Sequence, residues 1–181
     1  TDQIDLNVTM KERNTGKLML GAGVSSSEGL VGTFTVSQSN FLGTGNTVSA
    51  SISTGEINKT YALSYTDPYF TDDGIARTVG AYKRDVNTAD LSTATYNTYS
   101  YGANFDFNIP LSEHNGVNLA AVFDLTEIEL GSYATQEYID FCRNMSGSTS
   151  TNDCNSDSVQ ISAAYAEDTR NNATQPTEGT Y

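Results

Sequence analysis

The residues that could carry out chemistry are few and lie far apart in this sequence. His114 is the only histidine, and the surrounding "SEHNG" is typical of a turn. A nucleophile activated by this histidine would need partners that the sequence does not place near it, so we interpret His114 as a solvent-exposed turn residue. Asp67, Asp72 and Asp73 could bind a cation, but they lack the spacing of a calcium-binding loop and belong to ordinary turn sequences. We therefore expect neither a catalytic site nor a metal site.

The glycine pair in "KLMLGAGVS" is a second candidate. A phosphate-binding loop would need a third glycine, a lysine and a following helix, and this stretch has none of them in place. We therefore expect no nucleotide and no other cofactor. The stretch instead alternates in polarity, which predicts a β-strand that is apolar on one face and nearly bare on the other. One face is formed by Leu18, Leu20, Ala22 and Val24, and the other by Lys17, Met19, Gly21, Gly23 and Ser25.

Cys142 and Cys154 bracket the polar stretch "RNMSGSTSTND". One pair of cysteines that closes a short loop favours a disulfide bond in an oxidising compartment over two free thiols. Neither the spacing of the pair nor its neighbours are those of a metal site.

The composition excludes one large class of function. The 22 acidic and 9 basic residues give a net charge of -13, and the basic residues form no dense patch, so binding to nucleic acid through its phosphates is not expected. The mean hydropathy of -0.40 suggests a soluble protein, and no run approaches the roughly 18 apolar residues of a membrane helix. A membrane β-barrel stays compatible with this composition, because only alternate residues of its strands face lipid.

Eight segments alternate between apolar and polar residues, and helical periodicity is hard to find. Short turns at 42–46 and 110–116 and a moderate one at 66–74 alternate with longer connections at 86–95 and 128–157. Antiparallel strands of about ten residues, with short connections at one end and longer ones at the other, are typical of an outer-membrane β-barrel. A soluble β-sandwich would also alternate in this way, and the pattern alone leaves that alternative open.

Aromatic residues near the predicted strand ends would serve a membrane barrel as interfacial girdles. These residues are Phe41, Tyr61, Tyr69, Phe70, Tyr96 and Tyr99.

Four stretches of the sequence resemble the Omp85 family of outer-membrane proteins. "VTMKERNTGKLMLGAGVSSSEGL" is similar to the junction between that family's last periplasmic POTRA domain and its first barrel strand. "QSNFLGTGN" and "YALSYTDPYFTDDG" are similar to its first two periplasmic turns, and "DTRNNATQPTEGTY" to the turn that enters its ninth strand. The four stretches occur in the family's order. The turn residues that carry the resemblance are Asn40, Phe41, Leu42, Gly43, Gly45, Asp67, Pro68, Tyr69, Phe70 and Gly74.

The resemblance implies an all-β fold in a chain that is a fragment. Residues 1–15 would be the tail of the last POTRA domain, and residues 16–181 the N-terminal half of a sixteen-stranded antiparallel transmembrane β-barrel. The location would be the outer membrane of a Gram-negative bacterium, with the N-terminal residues in the periplasm. The implied activity is not enzymatic: the protein would fold and insert other barrel proteins, its clients. Its partners would be these nascent outer-membrane proteins, assembly-complex lipoproteins held mainly by POTRA domains, and outer-membrane lipid and lipopolysaccharide.

The first barrel strand, residues 17–25, is the expected contact with clients. A closed barrel has no strand edges, but a weak seam would turn this strand into an edge that pairs with an incoming strand through backbone hydrogen bonds. Gly21 and Gly23 add no cross-strand packing and would weaken the seam, although crowding inside the barrel or strand curvature would also explain them. Two alternatives stay open: a related Omp85 transporter with narrower clients, and a small eight-stranded barrel that acts as an adhesin or structural protein.

We predict that Cys142 and Cys154 are bonded to each other. The bond would close a loop of about a dozen residues and stabilise the fold by about 2–3 kcal/mol. Alkylation without reductant, followed by mass spectrometry, should leave both cysteines unmodified, and the same treatment after reduction should label both. Two alkylated cysteines in the unreduced protein would contradict the prediction.

Overall fold

The computed structural model of the chain describes residues 7, 9, 11, 13–88, 96–131, 134–146, 153–172 and 174–180. These residues form eight β-strands, as the sequence predicts. The strands are β1 (Gly16–Ser25), β2 (Gly29–Gln38), β3 (Thr47–Thr54), β4 (Asn58–Asp67), β5 (Ala76–Asn87), β6 (Tyr96–Pro110), β7 (Asn115–Leu130) and β8 (Asp153–Glu167). A short 3-10 turn, Phe41–Gly43, follows β2, and an α-helix, α1 (Gln136–Ser146), lies between β7 and β8. The last three strands have 15, 16 and 15 residues and so exceed the predicted length.

Each strand pairs antiparallel with its neighbours in the sequence, so the strands form one sheet in the order β1 to β8. This is the order of an up-and-down barrel wall. Within the described residues, β1 and β8 each pair on one side only. We call the end of the sheet at which β1 begins the proximal end, and the opposite end the distal end.

The connections only partly follow the predicted difference in length between the two ends. The proximal connections are 39–46, 68–75 and 111–114, and the distal ones are 26–28, 55–57, 88–95 and 131–152. The first two distal connections are therefore shorter than the first two proximal ones. The long distal connections come only after β5.

One face of the sheet carries most of the large apolar side chains of the eight strands, together with charged residues such as Lys83 and Arg77, and we call it the outer face. In register, Leu20 lies opposite Phe34, and Phe34 lies opposite Ile52. The row continues through Tyr61 of β4 and includes side chains that are far from buried, since Leu20 is 75% exposed. A soluble sandwich would cover such a face with a second sheet, whereas all eight described strands belong to one sheet. The arrangement therefore matches the wall of a membrane barrel and not a sandwich.

The opposite, inner face is polar. Its hydroxyl groups bond across neighbouring strands: Ser49 and Ser64 lie 2.7 Å apart, and Ser100 and Thr126 lie 2.9 Å apart. Such pairs satisfy polar side chains within the sheet and add to the backbone ladder that holds the strands together.

The longest distal connection contains α1, which the sequence analysis missed. Cys142 of α1 is bonded to Cys154 of β8, which confirms the predicted disulfide. Both cysteines are buried and form a small core with Leu130, against which Ile139 packs. Ile139 and Cys142 are three residues apart, as on one face of a helix, and this spacing was the available signal. Among the described residues, no helix is long and apolar enough to cross a membrane.

Tyr96 does not belong to the predicted aromatic girdle. It pairs with Leu130 on the inner face, and its ring centroid lies 5.4 Å from that of Tyr138 in α1. Both tyrosines line a cavity of 480 Å³ between the helix and the sheet. Tyr96 therefore packs against α1 instead of facing lipid.

Gly102 allows a tyrosine to cross β6 on the inner face. Tyr82 of β5, Gly102 of β6 and Asp124 of β7 are neighbours in register. The Tyr82 hydroxyl donates a hydrogen bond of 2.6 Å to the Asp124 carboxylate, and a Cβ atom at Gly102 would clash with the tyrosine ring. The ring therefore lies over the bare glycine and ties β5 to β7 across the strand between them.

Replacing Gly102 with alanine should destabilise the protein by about 1–3 kcal/mol, because the added methyl group must displace the ring. The double variant Tyr82→Ala/Gly102→Ala should cost less than the sum of the two single changes, since the clash is then absent. Urea unfolding of the full-length protein in lipid vesicles measures these differences. Gly116→Ala is the control, because a Cβ atom there would lie 3.6 Å from its nearest neighbour. If the free-energy cost of the double variant equals the sum of the costs of the two single variants, the packing of the Tyr82 ring over Gly102 is contradicted.

Candidate functional site

The candidate site is β1, the first strand of the sheet. This strand pairs with β2 from Gly16 opposite Gln38 to Ser25 opposite Gly29, and its second edge has no strand beside it among the described residues. The side chains of β1 are also exposed: Val24 is 87% exposed. The structure thus places the predicted client-pairing residues on one strand, β1, and their role in pairing stays a prediction.

The two glycines of β1 differ in their surroundings. A Cβ atom at Gly21 would lie 2.5 Å from Thr33 Oγ1, whereas a Cβ atom at Gly23 would meet nothing within 4 Å. Crowding on the inner face therefore accounts for Gly21 but not for Gly23. At Gly23 a side chain would fit, and its absence removes contact surface from the strand.

Two inner-face positions of β1, Gly21 and Gly23, contribute no side chain to the pairing with β2. Within the described residues, no side-chain hydrogen bond joins a residue of β1 to one of β2, while hydroxyl pairs join β3 to β4 and β6 to β7. Gly21 and Gly23 face Thr33 and Val31 and offer them no side chain. Because cross-strand side-chain pairs add to sheet stability, these two positions contribute little on the inner face, whereas the outer face pairs Leu20 with Phe34.

The proximal end of β1 is fixed by the residues just before it. Gln38 Nε2 donates a hydrogen bond of 2.6 Å to Thr15 Oγ1, and the Ser39 N–H donates one of 3.2 Å to the Thr15 carbonyl. The Gly16 N–H is bonded to Asn14 Oδ1 at 3.0 Å. The "NTG" sequence therefore binds the start of β1 to the end of β2.

Glu28 joins the first two distal turns, and the sequence analysis missed it. Its carboxylate accepts hydrogen bonds from the backbone N–H groups of Ile57 and Asn58, at 3.3 and 3.1 Å, and from the Asn58 side chain. Its carbonyl oxygen accepts the Glu56 N–H at 3.1 Å. Gly55 leaves the space, since a Cβ atom there would clash with the carboxylate. The bonds from Asn58 are the main reason that the pKa of Glu28 lies below its ordinary value of 4.5.

These bonds attach the β1–β2 hairpin to the β3–β4 hairpin at the distal end. Glu28 lies in the connection 26–28, and its partners lie in and just after the connection 55–57. The free edge of β1 is therefore held at both ends by contacts that do not use that edge.

The first predicted periplasmic turn is built by left-handed residues. Asn40 and Leu42 have φ values of 55° and 53°, and Gly43 and Gly45 both have 80°. Asn40 Oδ1 accepts the Gly45 N–H at 2.7 Å, which closes the turn. Leucine rarely adopts this backbone conformation, and here its side chain is 86% exposed at the proximal end.

The second predicted turn also lies at the proximal end. Asp67 Oδ1 accepts the Tyr69 N–H at 3.2 Å, Pro68 begins the turn, and Gly74 has a φ of 82°. Phe70 donates its N–H to the Ile75 carbonyl at 2.9 Å. The structure thus brings the predicted turn residues to one end of the sheet, and no group of three or more described His, Cys, Asp or Glu residues there or elsewhere is arranged to hold a metal.

His114 lies in the third proximal connection and contacts the residues that follow β8. The Asp168 N–H donates a hydrogen bond of 2.7 Å to the His114 carbonyl, and His114 Nδ1 lies 3.2 Å from the Asp168 carbonyl. Hydrogen bonds from the Arg170 guanidinium, at 2.7 and 2.8 Å, lower the pKa of Asp168 to about 2. His114 therefore has the exposed position expected from the sequence, with a structural contact to the last turn.

Replacing Glu28 with alanine should speed hydrogen exchange at the amides of Ile57 and Asn58 severalfold, because they lose their acceptor. Glu56→Ala is the control, since it removes the neighbouring carboxylate and keeps these bonds. In the unaltered protein the protection should persist above the ordinary pKa of 4.5 and weaken as the pH falls through the lowered pKa of the folded state. Equal exchange in the two variants would contradict the role of Glu28.

Comparison with known proteins identifies the family. Residues 40–181 match the Omp85 superfamily domain. Over 144 residues the chain is 35% identical to the outer membrane protein assembly factor BamA of Neisseria meningitidis serogroup B, a match that covers 78% of this chain and 18% of that protein. It is 32% identical over 79 residues to the chloroplastic outer envelope protein 80 of Oryza sativa, covering 40% of this chain and 12% of that one.

A solved structure agrees with this result. The crystal structure of BamA from Haemophilus ducreyi lacking POTRA domains 1–3 matches with a TM-score of 0.69 and 26% identity, over 92% of this chain and 32% of that one. The predicted fold class, the N-terminal half of an antiparallel outer-membrane β-barrel, is thereby confirmed. The chain spans less than a third of each of these relatives. On its sequence and its fold, the chain belongs to the Omp85 superfamily.

Proposed function

We propose that the protein to which this chain belongs folds and inserts β-barrel proteins into the outer membrane of a Gram-negative bacterium, and that β1 is the strand that pairs with its clients. The observation that carries the proposal is the pair Gly21 and Gly23, next to each other on the inner face of β1, because Gly23 has room for a side chain and carries none. The similarity to the BamA proteins supports the same activity.

The driving force is the pairing of backbone groups. In hydrocarbon, an N–H or C=O group without a partner costs several kcal/mol, and no water is present to lower that cost. A client strand that aligns with β1 satisfies its own backbone and the edge of β1 together. This chemistry needs no nucleotide, no cofactor and no covalent step.

The two bare inner-face positions of β1 make the edge reusable. If β1 packed as firmly as β6, it would hold a closing strand or a client too tightly to exchange it. The absence of a side chain at Gly23 keeps the side-chain contribution to strand pairing small. The hydrogen bonds of Thr15 and Glu28 hold the strand in place. The edge is therefore ordered before a client arrives and binds it mostly through the backbone.

The resemblance of the turns to the family's periplasmic turns supports an orientation. In it the proximal end, with the turns 39–46 and 68–75, faces the periplasm, and residues 1–15 are the tail of the last POTRA domain on that side. Clients arrive from the periplasm as nascent outer-membrane proteins, lipoproteins of the assembly complex bind mainly to the POTRA domains, and the outer face contacts outer-membrane lipid and lipopolysaccharide. The apolar rows of the outer face, from Leu20 to Ile161, support this placement.

The proposal predicts that Gly23→Val slows client insertion in the full-length protein on the order of fivefold. The valine side chain would add about 1 kcal/mol of strand pairing, and both the opening of the seam and the release of a client would then be slower. The double variant Gly21→Val/Gly23→Val should be slower still, with an added cost from the contact between residue 21 and Thr33. The rate is measured as the insertion of a barrel protein into proteoliposomes.

Gly116→Val is the matched control. Gly116 lies on β7, away from the free edge, and has ordinary contact distances around it. Its variant should insert clients at the unaltered rate. An unaltered rate for Gly23→Val would count against the edge of β1 as the pairing strand.

A further inference from the structure

We infer that Arg77, held by Phe70 and Asp67, binds the phosphate group of a phospholipid in the leaflet at the proximal end of the barrel. Arg77 is the second residue of β5, and in register it lies between Asp67 of β4 and Phe107 of β6. All three are on the outer face, where the strands meet lipid. The inference rests on the proposed membrane placement and does not depend on client pairing.

The guanidinium group of Arg77 is positioned by aromatic side chains. Its Cζ atom lies 3.9 Å from the centroid of the Phe70 ring, and the centroids of Phe70 and Phe107 are 6.3 Å apart. An arginine that stacks on an aromatic ring in this way is attracted by the ring and loses side-chain freedom. The ring of Phe70 therefore orders Arg77 before any ligand binds.

Within the described part of the chain, the guanidinium N–H groups of Arg77 donate no hydrogen bond. Its Nη2 atom is 4.0 Å from Asp67 Oδ2, which is too long for a hydrogen bond, while Asp67 Oδ1 is bonded to the Tyr69 N–H. The Nε atom is buried without a hydrogen-bond partner among the described residues. A guanidinium has five N–H donors, and leaving them without acceptors is unfavourable, so Arg77 has a nearby negative charge in Asp67 but lacks a hydrogen-bond acceptor among the described residues.

The side chain is still 31% exposed, so an acceptor can reach it from outside the sheet. That region is the boundary between the hydrocarbon core and the headgroups: Arg77 lies at the proximal start of β5, and the outer-face residues that follow, Val79 and Ala81, are apolar. Phospholipid phosphates lie at this level. The planar fork of arginine matches a phosphate group bidentately, so a lipid phosphate fits in charge, geometry and depth.

Arg84 of the same strand provides an internal comparison. It also lies near an aromatic ring, with its Cζ atom 5.6 Å from the centroid of Tyr82. Seven positions along a strand place the two arginines on opposite faces, so Arg84 is on the inner face and Arg77 on the outer one. A contact with lipid phosphate is therefore expected at Arg77 and not at Arg84.

Solid-state NMR tests the inference directly. The full-length protein, labelled with carbon-13 and nitrogen-15 arginine, is reconstituted in vesicles of phosphatidylethanolamine and phosphatidylglycerol in a phosphate-free buffer. The Arg77 guanidinium signal, assigned as the one lost in Arg77→Lys, should be dephased by lipid phosphorus-31. The Arg84 signal, assigned in the same way with Arg84→Lys, should not be.

Phe70→Ala separates a built site from simple proximity to lipid. It keeps Arg77 and removes the ring that orients it, so the phosphorus-31 effect at Arg77 should fall by half or more. No dephasing of Arg77 in the unaltered protein, or equal dephasing of Arg77 and Arg84, would overturn the inference. Protease protection in the same vesicles verifies that the protein is inserted in the membrane. The Arg77→Lys protein should insert clients at the unaltered rate. A failure of this site is therefore distinguished from a failure of the proposed function.

Discussion

The pairing of backbone N–H and C=O groups, in surroundings that supply no water, is the constraint on which the rest of this structure depends. A strand in hydrocarbon must find a neighbour for each of its edges, and the chain meets this requirement by folding back at every turn into one meander. Every strand with two neighbours meets this requirement, whereas β1 and β8 each have only one neighbouring strand within the described residues. The same constraint therefore applies to the second edge of β1 and to that of β8, the two end strands of the described sheet.

The side chains on the two faces of the sheet are packed in different ways. The outer face needs apolar side chains without a partner layer, which is why Leu20, Leu63 and Ile161 are exposed. The inner face satisfies its polar groups strand to strand, through hydroxyl pairs and through the bond of Tyr82 to Asp124 over Gly102. Among the described residues, the buried apolar side chains are Ile57 and those of the small core under α1. Stability therefore depends on the ladder and on cross-strand pairs much more than on a packed interior.

Alternation was sufficient to predict the eight strands and their faces, because the pleat of a strand fixes the period at two. It was misleading at the distal end of β7. There Ile128 and Leu130 are on the inner face, beneath α1, while Glu127 and Glu129 occupy the positions that face outward. In this stretch the apolar side chains therefore lie on the inner face and the charged ones on the outer face. The sequence pattern predicted a loop here for that reason. The helix was missed for a related reason: its inward residues, Ile139 and Cys142, lie among polar neighbours and face a core that only the folded chain creates.

The sequence by itself determined the number of strands, the composition of each face, the proximal turns and the cysteine pair, since each of these is set by residues close together or by a strict repeat. The tertiary structure decided the contacts between distant segments: Glu28 on the amides of Ile57 and Asn58, Tyr82 over Gly102, and Arg77 on the ring of Phe70. These depend on register, because a shift of one residue moves a side chain to the opposite face. Only the paired strands fix that register, and so only the folded chain shows which polar groups are satisfied and which still lack a partner.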